Sequence, residues 1–189
     1  GVGKSLFMCH VASSFLTQGL NVLYITLEMA EERIAERIDA NLLDTTIDDL
    51  HALPKDLYDS KILKVKNKTN GQLIIKEYPT ASAHSGHFRS LMNELALKKS
   101  FRPDVVFIDY LNICASARFK GGNISSYFYI KAIAEELRGL AVEFNVPIFS
   151  ATQTTRTGFV STDIGLEDTS ESFGLPATAD FMFALMSNE

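Results

Sequence analysis

The residues best suited to chemistry stand at the start of the chain, which reads Gly1-Val2-Gly3-Lys4-Ser5. They match the second half of the phosphate-binding pattern G-x-x-x-x-G-K-[ST]. In that pattern the glycines let backbone N–H groups approach phosphate oxygens, the lysine reaches the β- and γ-phosphates, and the hydroxyl ligates Mg²⁺. Because so short a match also arises by chance at a helix start, the rest of the chain has to decide whether a nucleoside triphosphate binds here.

A phosphate-binding loop of this kind needs a strand before it and a helix after it. Residues 6–16 carry apolar side chains at helical spacing, and Gly19 ends the run. A helix is therefore predicted, with the partial positive charge of its N-terminus directed at the phosphates. The strand and the first glycine of the pattern would precede residue 1, so we expect the chain to be a fragment cut through its own nucleotide site.

Two carboxylates at strand ends are candidates for the same site. The run Val105–Asp109 is apolar until its final aspartate, and such a strand delivers an Mg²⁺ ligand in phosphate-loop enzymes. We expect it to lie beside the strand of the phosphate-binding loop, since both would open on one crevice. Glu28 follows the run Asn21–Leu27 and could act as a general base toward water. Both could instead be structural, Asp109 as a turn cap and Glu28 as a partner for the dipole of the next helix.

Polar and basic residues in the second half of the chain suggest contacts with phosphate and with nucleic acid. Gln153 follows the apolar run Pro147–Ala151 and could sense a γ-phosphate, although polar residues commonly end strands. Arg118 and Lys120 flank a phenylalanine ahead of two glycines, a combination that suits single-stranded DNA. Arg156 begins a long polar loop. These basic residues could equally form a solvated surface.

The composition is that of a globular domain without an overall basic character. Of 189 residues, 46% are hydrophobic and 22% are charged, and the formal net charge is −5. Any contact with nucleic acid must therefore come from a local patch. No apolar run in the sequence is long enough for a membrane span. Cys9 and Cys114 lack metal-type spacing and are expected to be core residues of a protein in a reducing compartment.

Short apolar runs alternate with amphipathic stretches along the chain. Strands are predicted at Asn21–Leu27, Leu73–Glu77, Val105–Asp109, Pro147–Ala151 and Ala179–Met186. Helices are predicted at Glu31–Leu43, Ile47–Leu53, Phe88–Leu97 and Ser126–Phe144, with a lysine-rich connection up to Gly71 and a long loop at Arg156–Pro176. Continuously apolar strands separated by helices indicate an α/β fold, a mostly parallel sheet with helices on both faces.

The order of these motifs resembles that of the DnaB-like replicative helicases, above all their members from T-even phages. The pieces that carry the resemblance are GVGKS, NVLYITLEM, DVVFIDYLNI and AVEFNVPIFSATQTTR, followed by Ser170-Glu171-Ser172 ahead of Ala179-Asp180. Together they cover nearly the whole chain. The sequence departs from the family at Thr152-Gln153-Thr154, where Ser-Gln-Leu is common, and at Thr169 or Ser170, where an arginine is common.

That resemblance implies a RecA-like P-loop ATPase core that lacks its first strand here, with ATP and Mg²⁺ as cofactors. Lys4 and Glu28 would be the catalytic residues, and residues 1–5 would bind the nucleotide. Ser5 and Asp109 would hold the metal. Gln153 would be the γ-phosphate sensor.

The same resemblance implies how the parent protein works. Segments around 115–124 and 156–170 would be the loops that hold single-stranded DNA in the channel of a homo-hexameric ring. A primase and a helicase loader would be partners, and the setting would be the cytoplasm of a phage-infected bacterium. An N-terminal domain and an arginine finger would lie outside the chain.

Two other interpretations stay open at this point. A RecA-like recombinase or a regulatory ring ATPase shares the core, and only the Leu27-Glu28-Met29 ending and the spacing up to Arg156 favour the helicase. A third interpretation concerns the fragment, which could bind partners without catalysis or fail to fold stably.

Overall fold

The computed structural model describes residues 3–119, 124–153 and 174–186. The helices are α1 (Lys4–Thr17), α2 (Glu31–Leu42), α3 (Ile47–Ala52), α4 (Lys55–Lys66), α5 (Ser85–Lys99), α6 (Ser126–Phe144) and α7 (Gly174–Thr178). The strands are β1 (Val22–Thr26), β2 (Leu73–Glu77), β3 (Val105–Asp109) and β4 (Ile148–Ser150), and a 3-10 turn spans Leu111–Ile113. The predicted strands Leu73–Glu77 and Val105–Asp109 and the predicted helix Ser126–Phe144 are confirmed residue for residue.

Within the described residues the strands form one parallel sheet in the order β2-β1-β3-β4. Thr26 at the end of β1 is in register with Asp109 at the end of β3, and Glu77 of β2 is in register with Thr26. Since all strands point the same way, their carboxyl ends meet at one edge of the sheet. This is the edge at which α/β sheets bind ligands.

Both faces of the sheet are covered, as the uniformly apolar strands predict. Every residue of β1 and β3 is buried, and alternate side chains enter two separate cores. Towards α1 and α2 point Val22, Tyr24, Val105 and Phe107. Towards α5 and α6 point Leu23, Ile25, Val106 and Ile108. The period of two along each strand thus places residues 24, 107 and 109 on the face of α1, which follows the phosphate-binding pattern.

The neighbours of β3 differ from those that the sequence predicted. We predicted that this strand lies beside the strand of the phosphate-binding loop, but β1 pairs with one edge of β3 and β4 with the other. The apolar character of Val105–Asp109 correctly indicates a central strand. It does not indicate which strands flank it, because any two apolar neighbours satisfy the same pattern.

Three further differences concern elements. The lysine-rich connection contains a full helix, α4. The predicted strand Ala179–Met186 is wrong, because residues 179–186 form neither strand nor helix. Of the predicted loop Arg156–Pro176, residues 156–173 lie outside the described residues and the remainder belongs to α7.

Candidate nucleotide site

The N-terminus of α1 is formed by a glycine in a left-handed conformation. Gly3 has φ 88° and ψ 28° and is the N-cap residue, a conformation that a residue with a Cβ adopts only at a cost. The Gly3 carbonyl accepts the first helical hydrogen bond from Phe7 N at 2.9 Å. Lys4 and Ser5 therefore occupy the first turn, where helix N–H groups lack helical partners and favour anions. Gly1 and Val2 lie outside the described residues.

The two predicted carboxylates meet at the carboxyl edge of the sheet. Leu27 N donates to the carbonyl of Asp109 at 2.9 Å, which extends the β1–β3 pairing by one residue. Glu28 follows at once and is exposed. Its turn is closed by the Thr26 hydroxyl, which donates to Met29 O at 2.8 Å and accepts from Met29 N at 3.1 Å. Glu28 thus stands in a fixed turn beside the end of β3, open to solvent.

Tyr110 connects the start of α1 with the end of β4. The ammonium of Lys4 lies 5.3 Å from the centroid of the Tyr110 ring, a cation–π contact. The hydroxyl of the same ring accepts a hydrogen bond from Gln153 Nε2 at 3.1 Å. Lys4 and Gln153, chosen on separate sequence arguments, therefore both contact the residue that follows Asp109. Tyr110 itself was missed, although it directly follows the singled-out aspartate.

The two oxygens of the Asp109 carboxylate differ in their surroundings. The side chain is fully buried, and Oδ2 accepts a hydrogen bond from the Tyr24 hydroxyl at 3.0 Å. Oδ1 is buried and has no hydrogen-bond partner among the described residues. An ionised oxygen in such a position needs a cation or a donor. The Asp109 carboxylate and the hydroxyl of Ser5 in the first turn of α1 are the oxygen ligands that Mg²⁺ prefers, so these residue types fit the implied metal.

Tyr24 is a second residue that the sequence analysis missed. Its ring is fully buried and stacks on Phe107, with centroids 5.5 Å apart and planes 10° from parallel. Burial raises the pKa of Tyr24 far above its ordinary value, so the phenol stays protonated at neutral pH. A hydroxyl within an otherwise apolar buried strand needs a partner, and that was the available signal.

Cys9 of α1 lies against the same hydroxyl. Its Sγ is 3.9 Å from the Tyr24 oxygen and donates towards it. Burial raises the pKa of the Cys9 thiol to about 11, so the thiol is protonated at neutral pH. Cys9 and Cys114 are both buried and free, as expected for core cysteines.

Of the three predicted DNA contacts, only Arg118 lies within the described residues. The guanidinium of Arg118 forms an ion pair with Glu135 of α6, and Lys131 lies 3.9 Å from the same carboxylate. Arg118 is thus already matched by a carboxylate. Lys120 and Arg156 lie outside the described residues.

Glu136, beside Glu135 on α6, fixes the segment that leads to Arg118. Its carboxylate accepts hydrogen bonds from the Ser116 hydroxyl at 2.6 Å, the Ser85 hydroxyl at 2.9 Å and the backbone N–H of Ala117 at 2.9 Å. Burial by itself raises the pKa of Glu136, but the donated hydrogen bonds outweigh it and leave the pKa below its usual range. One acidic side chain therefore joins α5, α6 and residues 116–118.

Two kinds of feature are absent from the described part of the chain. No group of three or more His, Cys, Asp or Glu side chains there is arranged to hold a metal ion by itself. None of the helices described combines the length and the apolar character that crossing a bilayer requires.

The model of the family "DnaB-like helicase C terminal domain" matches residues 1–185. The chain therefore belongs to the family of DnaB-like helicase C-terminal domains.

Curated relatives are replicative helicases. The DnaB-like replicative helicase of Enterobacteria phage T4 is 49% identical over 191 aligned positions, which cover 100% of this chain and 40% of that protein. The probable plasmid replicative DNA helicase of Chlamydia psittaci is 31% identical over 159 positions, covering 82% of this chain and 33% of that protein. The chain thus spans about two-fifths of its T4 relative.

Solved structures agree in fold. One of them, described as an ATPase domain, superimposes with a TM-score of 0.76 at 21% identity, covering 95% of this chain and 64% of that one. A DnaB-like replicative helicase, solved in a study of its interactions with primase, gives 0.74 at 22% identity, covering 95% of this chain and 43% of that one. The α/β core with a parallel sheet is therefore the fold shared with these two structures.

Proposed function

We propose that this chain is the ATP-hydrolysing motor domain of a replicative DNA helicase, and that it is part of a longer protein. The observation that supports this most is that Lys4 and Gln153 both contact Tyr110, the residue after Asp109, in a chain that matches the helicase family over 185 residues. A RecA-like core alone would support any ATPase; the family match favours the helicase.

Residues 1–5 and the first turn of α1 bind the triphosphate. The ammonium of Lys4 moves from the Tyr110 ring to the β- and γ-phosphates, an exchange that a cation–π contact of about 0.5–2 kcal/mol permits. Ser5 and Asp109 would hold Mg²⁺, which would supply positive charge at the phosphates. Tyr24 donates a hydrogen bond to the other oxygen of Asp109.

Glu28 and Gln153 act on the γ-phosphate from two sides of the same edge. Glu28, exposed at the end of β1, accepts a proton from the attacking water. Gln153 donates to the Tyr110 hydroxyl in this structure. When the γ-phosphate competes for that amide, the end of β4 is released from Tyr110, which gives the site a means of reporting its occupancy to the chain that follows.

DNA is held by the loops that follow β3 and β4, with Arg118, Lys120 and Arg156 as phosphate contacts. For Arg118 this requires exchange of the Glu135 carboxylate for a DNA phosphate. We further propose that the longer protein forms a homo-hexameric ring in which a neighbouring subunit supplies an arginine to each site. A primase and a helicase loader would be its partners, and its setting would be the cytoplasm of a phage-infected bacterium.

One experiment separates this function from the alternative, a RecA-like recombinase or a regulatory ring ATPase. The protein that carries this domain is incubated with ATP and a forked DNA duplex, and in parallel with homologous single-stranded and duplex DNA. We expect ATP-dependent release of the displaced strand from the fork and no strand exchange. Strand exchange without unwinding, or ATP turnover without either, would overturn the helicase proposal.

A further inference from the structure

We propose that Tyr24 is the positioning residue for the metal-binding carboxylate, and that its hydroxyl fixes which oxygen of Asp109 faces the metal. This inference rests on the proposed nucleotide site. The sequence motifs assign no role to position 24, which lies inside β1 and two residues short of the strand end. The contact is made on the face of the sheet that carries α1.

The first step is the asymmetry of the carboxylate. Tyr24 donates to Oδ2 at 3.0 Å, whereas Oδ1 is equally buried and has no partner among the described residues. A carboxylate can rotate about its Cβ–Cγ bond. A donor to one oxygen fixes the orientation of the carboxylate plane, so the other oxygen, here Oδ1, is held in one direction and is left for a ligand from outside the protein.

The second step is the rigidity of the donor. Tyr24 is in register with Phe107 of β3, and the stacked rings hold the phenol along the strand towards Asp109, two residues further on. Phe107 stacks in turn on Phe149, with centroids 5.2 Å apart. The Cys9 thiol contacts the hydroxyl from α1. The donor is therefore contacted directly by β3 and α1, and β4 supports it through Phe107. Helix α1 is also the helix that carries Lys4 and Ser5.

The third step is the charge of the donor. A tyrosine hydroxyl is neutral, so it stabilises the ionised carboxylate without cancelling the charge that attracts the metal. A lysine or arginine in its place would compete with the cation. Partners of this kind behind a metal ligand typically change metal affinity about 10–100-fold when they are removed.

The test compares the wild-type protein that carries this domain with its Tyr24→Phe variant. Binding of Mn²⁺ to the ADP-loaded protein is followed by electron paramagnetic resonance, a measurement that needs no turnover. Tyr24→Phe keeps the stacked ring and removes only the donor, and we expect the affinity for Mn²⁺ to fall by about 10–100-fold. Affinity for ADP without metal should not change.

Tyr58→Phe is the matched control. Its hydroxyl also donates to a half-buried aspartate, Asp39 of α2, but this pair joins α4 to α2 away from the carboxyl edge of β3. Loss of a tyrosine–aspartate hydrogen bond as such should lower stability in both variants. Only Tyr24→Phe should weaken Mn²⁺ binding, and equal effects of both variants would overturn the proposal.

A second variant covers the case in which Tyr24→Phe does not fold. Placing 4-aminophenylalanine at position 24 restores an N–H donor on the same ring, and we expect it to restore the Mn²⁺ affinity. If this variant folds and binds Mn²⁺ weakly, the proposal is wrong. Asp109→Asn separates the proposed metal site from the proposed role of Tyr24. If Asp109→Asn leaves Mn²⁺ binding intact, the metal site itself is wrong. If Asp109→Asn weakens Mn²⁺ binding and Tyr24→Phe does not, only the role of Tyr24 is refuted.

Discussion

Glu28 can be tested as a general base by removing its charge and keeping its shape. Glu28→Gln should leave ATP binding intact and lower the hydrolysis rate about 10²–10⁴-fold, because an amide accepts no proton. Binding is measured with a fluorescent ATP analogue and hydrolysis by single-turnover phosphate release in the protein that carries this domain.

The control is Glu32→Gln, an exposed glutamate in the first turn of α2. If Glu28 serves only the dipole of α2, both substitutions should give the same small loss of stability and leave the rate per bound nucleotide unchanged. That outcome would return Glu28 to a structural role.

Lys4 is the first residue of α1, and its ammonium lies over the Tyr110 ring. Lys4→Ala should abolish ATP turnover, because the phosphates lose their in-loop positive charge. Lys76→Ala is a matched control: Lys76 also lies over a tyrosine ring, that of Tyr78, at 5.9 Å, but on β2. Steady-state phosphate release should be lost only in the first variant. Unchanged turnover in Lys4→Ala would contradict the phosphate-loop assignment.

Motifs in the sequence singled out the charged residues of the candidate nucleotide site. They did not single out the two tyrosines that contact Asp109 and Lys4. Lys4, Glu28 and Asp109 stand at strand ends or a helix start, positions that can be read from local pattern. Tyr24 and Tyr110 act through contacts between elements: Tyr24 reaches Asp109 across 85 residues of chain, and only the register of β1 against β3 brings them together. Local pattern contains no information on that register.

At the scale of elements, the segment after β3 should contact DNA through its charge. Changing Arg118 and Lys120 together to alanine should weaken binding of single-stranded DNA and lower the slope of log affinity against log salt by roughly 0.7 for each lost phosphate contact. Fluorescence anisotropy of a labelled oligonucleotide across a salt series measures both. Glu135→Gln should strengthen binding, since it frees Arg118 from its present partner.

The control for charge alone is Lys64→Ala with Lys66→Ala, two exposed lysines in the last turn of α4. This pair removes the same net charge far from β3 in the sequence and should leave the slope unchanged. An equal drop in both double variants would mean that only overall charge matters, and the segment at Arg118 would then be ordinary surface.

Glu136 should stabilise the segment that leads to Arg118. Glu136→Gln should lower the free energy of unfolding by about 1–3 kcal/mol, because hydrogen bonds to a charged acceptor are stronger than those to an amide. Since the pKa of Glu136 is lowered in the folded protein, its contribution is present above the ordinary carboxyl pKa and is lost as pH falls through the folded value. Urea unfolding near neutral and acidic pH measures both effects.

The comparison for Glu136 is Glu143→Gln. Glu143 also lies on α6 and forms an exposed ion pair with Arg89, an interaction worth about 0–1 kcal/mol. Two results would contradict the proposed role of Glu136. One is a loss of unfolding free energy in Glu136→Gln that is no larger than the loss in Glu143→Gln. The other is a loss in Glu136→Gln that grows towards acidic pH.

Elements with a buried face were predictable, and those without one were not. The twelve residues of α4 include no buried side chain, and Leu57 and Leu63 are exposed, so its apolar pattern is faint. The start at Pro54 and the lysines of its last turn were the readable signals. The run 179–186 gave the opposite error, a predicted strand that is not observed. The run is apolar, but Phe181 is 81% exposed, and the backbone of residues 179–186 pairs with no strand of the described sheet.

At the scale of the molecule, alternation of strands and helices was enough to predict a parallel sheet covered on both faces, but not the order of its strands. The strand of the phosphate-binding loop was expected beside β3, but β1 and β4 occupy both sides of β3. In the described sheet the free edges are those of β2 and β4. Phe183 packs edge-on against Phe7 of α1, with centroids 5.3 Å apart, yet Phe183 remains 53% exposed.

These edges give the reason for a prediction about the chain by itself. Expressed alone, residues 1–189 should show neither ATPase activity nor a stable hexamer. In the described sheet the outer edge of β4 has no partner strand, and the side chains of Phe181 and Met186 are exposed; both features favour aggregation. A site that also lacks an arginine from a neighbour is expected to be slower by ~10³–10⁵-fold. Light scattering and phosphate release measure the two properties.

The comparison for residues 1–189 is a longer protein that contains the same core with added sequence at both ends. The T4 phage relative gives the scale, since this chain covers 40% of it. An added strand could pair with the free edge of β4 and complete the loop that ends at Ser5. The extended protein should therefore form rings and hydrolyse ATP. A monodisperse and active chain of residues 1–189 would show that the edge of β4 needs no partner, and that this chain is not an excised part of a larger motor.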